Sequence, residues 1–193
     1  MGTGGGKPRY SGCREGLGGY SSIGAILVGR KFVDVLNAGT AAFVHGHTYQ
    51  AHPVACAAAL EVQRIIREER LLTNVKAMEA VLAKALREQF AEHQYVGDIR
   101  GRGLFQAIEF VSDAAARTPF ARDIHFSERL KANALALGLA IYPNGGAIDG
   151  QAGDHVIIAP PYNVTPAQID LIVALLGDAV DRTVSQLSQH PVS

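Results

Sequence analysis

Between His52 and Leu60 the sequence runs His-Pro-Val-Ala-Cys-Ala-Ala-Ala-Leu, which dictates a helix able to receive another backbone at close range. Pro53 suits the first helical turn, where its missing N–H would have no partner anyway. Ala55, Cys56, Ala57, Ala58 and Ala59 then leave the helix surface nearly bald. Upstream, Phe43 to Tyr49 reads as a short strand or loop that delivers His45, His47, Thr48 and Tyr49 to one place. Two readings stand: a polar site feeding a closely packed helix, or a histidine-rich loop ahead of a core helix.

The rest of the chain alternates the two periods. Residues 1 to 22 are rich in glycine and read as flexible. Ile23 to Val28 is a continuous apolar run, as a buried strand requires. Arg30 to Asn37 reads as a short helix with Phe32, Val33 and Leu36 on one face, stopped near Gly39. His52 to about Arg70 forms the alanine-rich helix. From Thr73 to about His93, Val75, Met78, Leu82, Leu86 and Phe90 recur at helical spacing. These two helices can also be one, broken at Leu71 to Asn74. Tyr95 to Val111 reads as one or two strands, with Gly97, Gly101 and Gly103 marking bends or bulges. Phe126 to Leu137 is a helix ended by Gly138; Leu139 to Tyr142 and Val156 to Ala159 are short strands. Thr165-Pro-Ala-Gln168 is a capping box. Behind it, Ile169, Ile172, Val173, Leu176 and Val180 form a buried stripe, and Gln186 to Ser193 looks frayed. The pattern is that of an α/β chain.

Balanced charge narrows the partners. The 18 basic residues match the 18 acidic ones, whereas a nucleic-acid or anionic-membrane binder shows a basic excess. No apolar run reaches the roughly 18 residues of a membrane span, and the N-terminus lacks a signal-type apolar region. Cys13 and Cys56 have no CxxC neighbour, so no disulfide framework or zinc site is implied and a cytoplasmic location is expected. His45, His47 and His52 have no accompanying carboxylate or thiol, which argues against a metal site. Gly2 to Lys7 lacks the strand, the helix and the Ser/Thr of a phosphate loop. Bend geometry explains the glycines around Arg102, Asp149-Gly150 reads as a turn, and His155 as structural.

In wording, His45-Gly-His-Thr-Tyr-x-x-His-Pro-x-Ala-Cys-Ala-Ala-Ala-Leu60 resembles the segment after the cofactor lysine in class III (ornithine/omega-type) pyridoxal-phosphate aminotransferases. Glu15-Gly-Leu-Gly-Gly-Tyr-Ser-Ser-Ile-Gly-Ala25 is similar to that family's Lys-Gly-Leu-Gly-Gly-Gly-Tyr-x-Pro-Ile-Gly-Ala. Val96 to Glu109 resembles its Arg-Gly-x-Gly-Leu strand, and Asp149 to Pro161 its C-terminal strand and Pro-Pro turn. The motifs span roughly residues 15 to 185, in the family's order.

The resemblance implies the end of a fold type I large domain followed by a small C-terminal α+β lobe. The division expected from it is a flexible head over residues 1–22, a large-domain remnant over 23–90 and the lobe over 91–193. It also implies pyridoxal 5'-phosphate, a homodimer, and amine and keto-acid substrates. Thr48 would reach across a two-fold interface to the cofactor phosphate, using hydroxyl and backbone N–H donors. A threonine capping the turn before Pro53 is the alternative. Glu15 stands where the Schiff-base lysine belongs, and a carboxylate can neither form that imine nor return a proton as a freed amine does. No catalytic residue and no covalently bound cofactor are therefore expected in this chain. The segments that in the family cradle the phosphate, stack on the pyridine ring and pair with its nitrogen have no counterpart here. Gln151 lies where some relatives place a substrate-carboxylate arginine. A truncated or frame-shifted C-terminal half, inactive alone, is the expectation. The other reading is a non-catalytic remnant or oligomerisation module.

Overall fold

The computed structural model describes residues 10–13, 15–19 and 21–188. Lys7 with its glycine neighbours, and most of the tail expected to fray, lie outside them. The chain divides into two compact units, Met1–Arg70 and Leu71–Ser193. The sequence places a boundary near residue 90 instead. The stretch from Leu71 to Phe90 joins the second unit because its Leu82, Leu86 and Phe90 belong to that unit's core.

In the first unit, β1 (Tyr10–Cys13) pairs antiparallel with β2 (Ala25–Val28), Tyr10 opposite Val28. β1 falls in the head expected to be flexible; β2 supplies the ladder that its Tyr-Ser-Gly-Cys wording does not announce. Helix α1 (Arg30–Ala38) closes on Gly39, whose N–H donates to the Leu36 carbonyl at 3.2 Å. Helix α2 (Pro53–Glu68) starts as expected, with His52 at the N-cap and Pro53 in the first turn. On its exposed side Arg64 donates to Glu61 at 2.5 and 2.8 Å and also to Glu68. The hydrogen bond from Arg64 holds the Glu61 carboxyl below the usual range. On its bald side Ala59 is buried, and Ala55, Cys56 and Ala58 are half-buried.

The break between α2 and α3 (Leu71–Phe90) comes at Glu69 and Arg70, ahead of the expected Leu71 to Asn74. Arg70 adopts φ 52°, a left-handed conformation without a glycine to announce it.

The second unit is a 4-stranded antiparallel sheet in the order β3-β4-β6-β5, with helices on one face. The strands are β3 (Val96–Arg102), β4 (Phe105–Phe110), β5 (Tyr142–Asn144) and β6 (Asp154–Ile158). Alternation along β4 sets the faces: Gln106, Ile108 and Phe110 are buried, whereas Phe105 is exposed. Helices α3, α4 (Phe126–Ala136) and α5 (Pro166–Ser188) cover the buried face. Leu86 from α3, Leu130 from α4 and Leu176 from α5 meet Ile108 and Val156 there, all inaccessible to solvent. Phe120 stacks on Phe126 at 4.5 Å and 8°, sealing the start of α4.

The glycines behave as their spacing suggests. Gly97 marks a register shift in β3, and Gly103 turns the β3–β4 hairpin at φ 60°. A Cβ on Gly101 would lie 2.3 Å from the Phe105 carbonyl oxygen, so only glycine permits that close pairing. The capping box of α5 forms: Thr165 N–H donates to Gln168 Oε1 at 2.9 Å and Gln168 N–H to Thr165 Oγ1 at 3.4 Å. Among the described residues, no helix is long and apolar enough to cross a membrane.

Candidate functional site

In the first unit the Glu15 turn is tied to the C-terminal half of α2, and the Thr48 turn leads into its N-terminus. Glu15 opens a 3-10 turn, Glu15–Leu17. The Leu17 carbonyl at its end accepts a hydrogen bond from Gln63 Nε2 of α2 at 3.3 Å. The following glycines are stereochemical requirements. Gly18 is buried, and a Cβ there would sit 2.5 Å from Ile23 Cγ2. Gly19 is left-handed at φ 63°. Ser21 N–H then donates to the Gly18 carbonyl at 3.1 Å and closes the turn. Position 15 is thereby fixed at the head of a turn anchored to α2.

The segment before α2, with Ser22 to Ile26, lines a hollow of about 920 Å³. His45, His47, Tyr49, His52, Ile26 and Cys56 are among its lining residues. Their rings touch in sequence: Phe43 to His45 at 5.8 Å, His45 to His47 at 5.2 Å with planes at 82°, and Tyr49 to His52 at 6.5 Å. The turn from Thr48 to Ala51 closes with Gln50 N–H donating to the His47 carbonyl at 3.0 Å. Ala51 at φ 54° redirects the chain into α2. Thr48 is exposed on this turn, and the N-cap of α2 is His52, with no side-chain capping bond. Thr48 is thus an exposed residue of the segment that carries His45, His47 and His52. Among the described residues no group of three or more His, Cys, Asp or Glu side chains is placed to hold a metal ion.

The second unit holds the other residues drawn from the sequence. At the hairpin bend beside Arg102, Gly103 N–H is already taken by the Glu79 carboxylate at 2.7 Å, so the bend serves packing. Asp149 builds a tight turn, its Oδ1 accepting N–H bonds from Gln151 at 2.8 Å and Ala152 at 2.7 Å. Those donors, Ala152 foremost, hold its carboxyl below the usual range. Gln151 is exposed, and its Oε1 accepts from Arg122 Nη1 at 3.4 Å. Arg122 is the cation beside this loop, and no spacing in the sequence links it to Gln151. His155 lies opposite Glu109 in the sheet, its Nδ1 buried without a partner among the described residues. Arg100, bridging Glu109 at 2.6 Å and Asp98 at 2.8 Å, is held more firmly charged by both.

Comparison with known proteins bears on the whole of this arrangement. A family model described as aminotransferase class-III matches residues 15–180. An aminotransferase of Gibberella zeae is 44% identical over 164 residues, covering 84% of this chain and 32% of that protein. Putrescine–pyruvate aminotransferase of Pseudomonas aeruginosa is 36% identical over 167 residues, covering 86% and 34%. Among solved structures, an (S)-enantioselective omega-transaminase from Thermomicrobium roseum superposes with a TM-score of 0.83 at 29% identity, covering 93% of this chain and 38% of the other. A PMP-bound aminotransferase from Vibrio fluvialis superposes at 0.79 and 30% identity, covering 93% and 39%. The chain spans about a third of the length of the curated relatives it matches.

Proposed function

Because this chain belongs to the class III aminotransferases, with the fold type I architecture of the transaminases it superposes on, we propose that it is a segment of an enzyme moving an amino group between an amine or amino acid and a keto acid. The cofactor of that reaction is pyridoxal phosphate, which when bound supplies the electron sink for breaking bonds at the amine-bearing carbon. The observation that carries the proposal is that one unit holds both the Gly-Leu-Gly-Gly turn at Glu15 and the exposed Thr48 turn before α2.

The residues present do not fit a covalently held cofactor. Position 15 offers a carboxylate, and the described lysines are Lys31 on α1, Lys76 and Lys84 on α3 and Lys131 on α4. None of them belongs to the Glu15 turn or to the Thr48 turn, and no step through the cofactor is derived for this chain. What the chain does offer is Thr48, whose hydroxyl and N–H can donate to a phosphate oxygen. We assign Thr48 to the cofactor phosphate of a second copy in a homodimer. Its exposure supports this assignment; a threonine in its own chain's core could not reach a partner. A cytoplasmic location accords with the cysteine usage.

A second reading is favoured by a different observation. Glu15, together with the apolar side chains that the first unit leaves open, suits a non-catalytic oligomerisation module. One measurement tests the absence of a covalent cofactor link, which both readings share. Protein mixed with pyridoxal phosphate, reduced with borohydride and mapped by mass spectrometry is expected to show only scattered, substoichiometric labelling. A single stoichiometric adduct on one lysine would overturn the claim that this chain makes no covalent link.

A further inference from the structure

Of the chain's asparagines, Asn144 alone is followed by glycine. Asparagine is thermolabile, and before glycine its side-chain carbon is open to attack by a backbone nitrogen that no Cβ shields. Asn144 ends β5, which lies at the edge of the second unit's sheet. Pro143 has no N–H, so the hydrogen-bonded pairs of the β5–β6 ladder are Tyr142 with Ile157 and Asn144 with His155. The alternation then turns the Gly145 N–H away from β6, toward the open edge. Among the described residues neither that N–H nor the Asn144 side-chain amide makes a hydrogen bond.

Asp149-Gly150 offers related chemistry a few residues on, and there the fold closes it. Asp149 Oδ1 accepts from Gln151 and Ala152, and Gly150 N–H donates to the Gly146 carbonyl at 3.1 Å. We infer that Asn144 is a modification site at which this chain deamidates unaided, to aspartate and isoaspartate, while Asp149 stays as it is. The Gly145 nitrogen bonds to Asn144 Cγ, the Cγ–Nδ2 bond breaks, and the side-chain nitrogen leaves as ammonia with the Gly145 proton. Water then opens the resulting five-membered imide at either carbonyl, so water is the sole co-reactant. Ring closure swings the Asn144 carbonyl out of the ladder, which opens one bond at the end of a three-residue edge strand. Isoaspartate lengthens the backbone by one carbon and spoils the register of β5 with β6. Aspartate places a carboxylate at the position opposite His155, whose buried Nδ1 has no partner among the described residues.

The test is to age the full chain in warm neutral buffer made with heavy-oxygen water, then map it by proteolysis and mass spectrometry. A synthetic peptide of residues 142–148 in the same buffer sets the intrinsic rate. Position 144 is expected to exchange its amide for an acid, take up heavy oxygen and split into two isomers, with the other asparagines and Asp149 unchanged. Gly145→Ala is the matched variant: its backbone is not left-handed, and a Cβ there would meet only Asp154 Oδ1, at 3.7 Å. With native melting retained, that variant is expected to lose the conversion. Asn144 left intact when the peptide is fully converted overturns the inference, as does conversion in Gly145→Ala at the parent rate. Isomerisation of Asp149 alongside Asn144 overturns the claim that the turn protects it.

Discussion

The two units treat their apolar side chains in opposite ways. In the second, Leu82, Leu86, Ile108 and Leu176 are fully enclosed by helices on one face of a four-stranded sheet. In the first, Val44 is 95% exposed, Tyr49 81% and Phe43 71%, and Ile26, Leu27 and Val35 are open as well. Only Ala59 among the first unit's described apolar side chains is buried. The difference lies in layering. Sheet and helices in the second unit each have an opposite layer, whereas among the described residues the first unit's two-stranded ribbon leaves Ile26, Leu27 and Val28 exposed. Each open Val, Leu or Phe forgoes about 1.5–3 kcal/mol of burial. An exposed apolar surface on this scale marks a place for further protein, in keeping with a chain that spans about a third of its relatives.

The sharpest way to break this contrast is a matched pair of truncations. Leu86→Ala, at a position closed to solvent, is expected to cost about 2–5 kcal/mol in urea unfolding of the second unit. Val44→Ala should change stability by less than about 0.5 kcal/mol. Comparable losses at both sites would show that the first unit has a core of its own.

A smaller effect tests how the second unit starts its longest helix. Thr165→Ala removes the hydroxyl that accepts from Gln168 N–H, and should lower stability by about 1 kcal/mol. Thr165→Ser should restore most of it. An unchanged midpoint in Thr165→Ala would mean that packing of Ile169 and Val173 alone fixes the helix start.

The smallest effect is a titration. Asp149 is held below its ordinary value by the Ala152 and Gln151 N–H groups. A carboxyl whose folded value is depressed adds stability above its unfolded value and loses it as the pH falls through the folded one. The amide shifts of Gln151 and Ala152 should therefore move together, with a midpoint below that of a free aspartate, and should stay flat in Asp149→Asn. A midpoint at or above that of a free aspartate would remove the Asp149 turn from the account.

These contrasts also show what could be read in advance. The apolar stripes of α3 and α5, the Thr165–Gln168 box and the Pro53 helix start are local patterns, and all formed as read. Class III membership was legible because its motifs are local too, from the Gly-Leu-Gly-Gly turn to the Pro-Pro turn. Features set by a distant partner were not. β1 exists because β2 lies beside it. The strand read at Leu139 to Tyr142 starts only at Tyr142, because Leu139 N–H is spent on the Ala134 carbonyl in the cap of α4, past Gly138 at φ 84°. At the candidate site, the residue types of Glu15 and Thr48 were plain in the sequence. The tie from Gln63 to Leu17 and the place of Arg122 beside Gln151 join positions far apart in the chain, and needed the fold.

The strand order β3-β4-β6-β5 has a consequence in time. β3 and β4 join through a tight turn at Gly103, so their ladder can close as soon as both are made. β4 is a central strand, however, and its other ladder pairs Gln106 with Ile158, far along the chain. Closing that long loop is slow compared with closing a hairpin. During synthesis the outer edge of β4 waits, unpaired and carrying Ile108 and Phe110, until α4 and β6 have emerged. In that interval the second unit, the better packed of the two when finished, is the one exposed to mispairing.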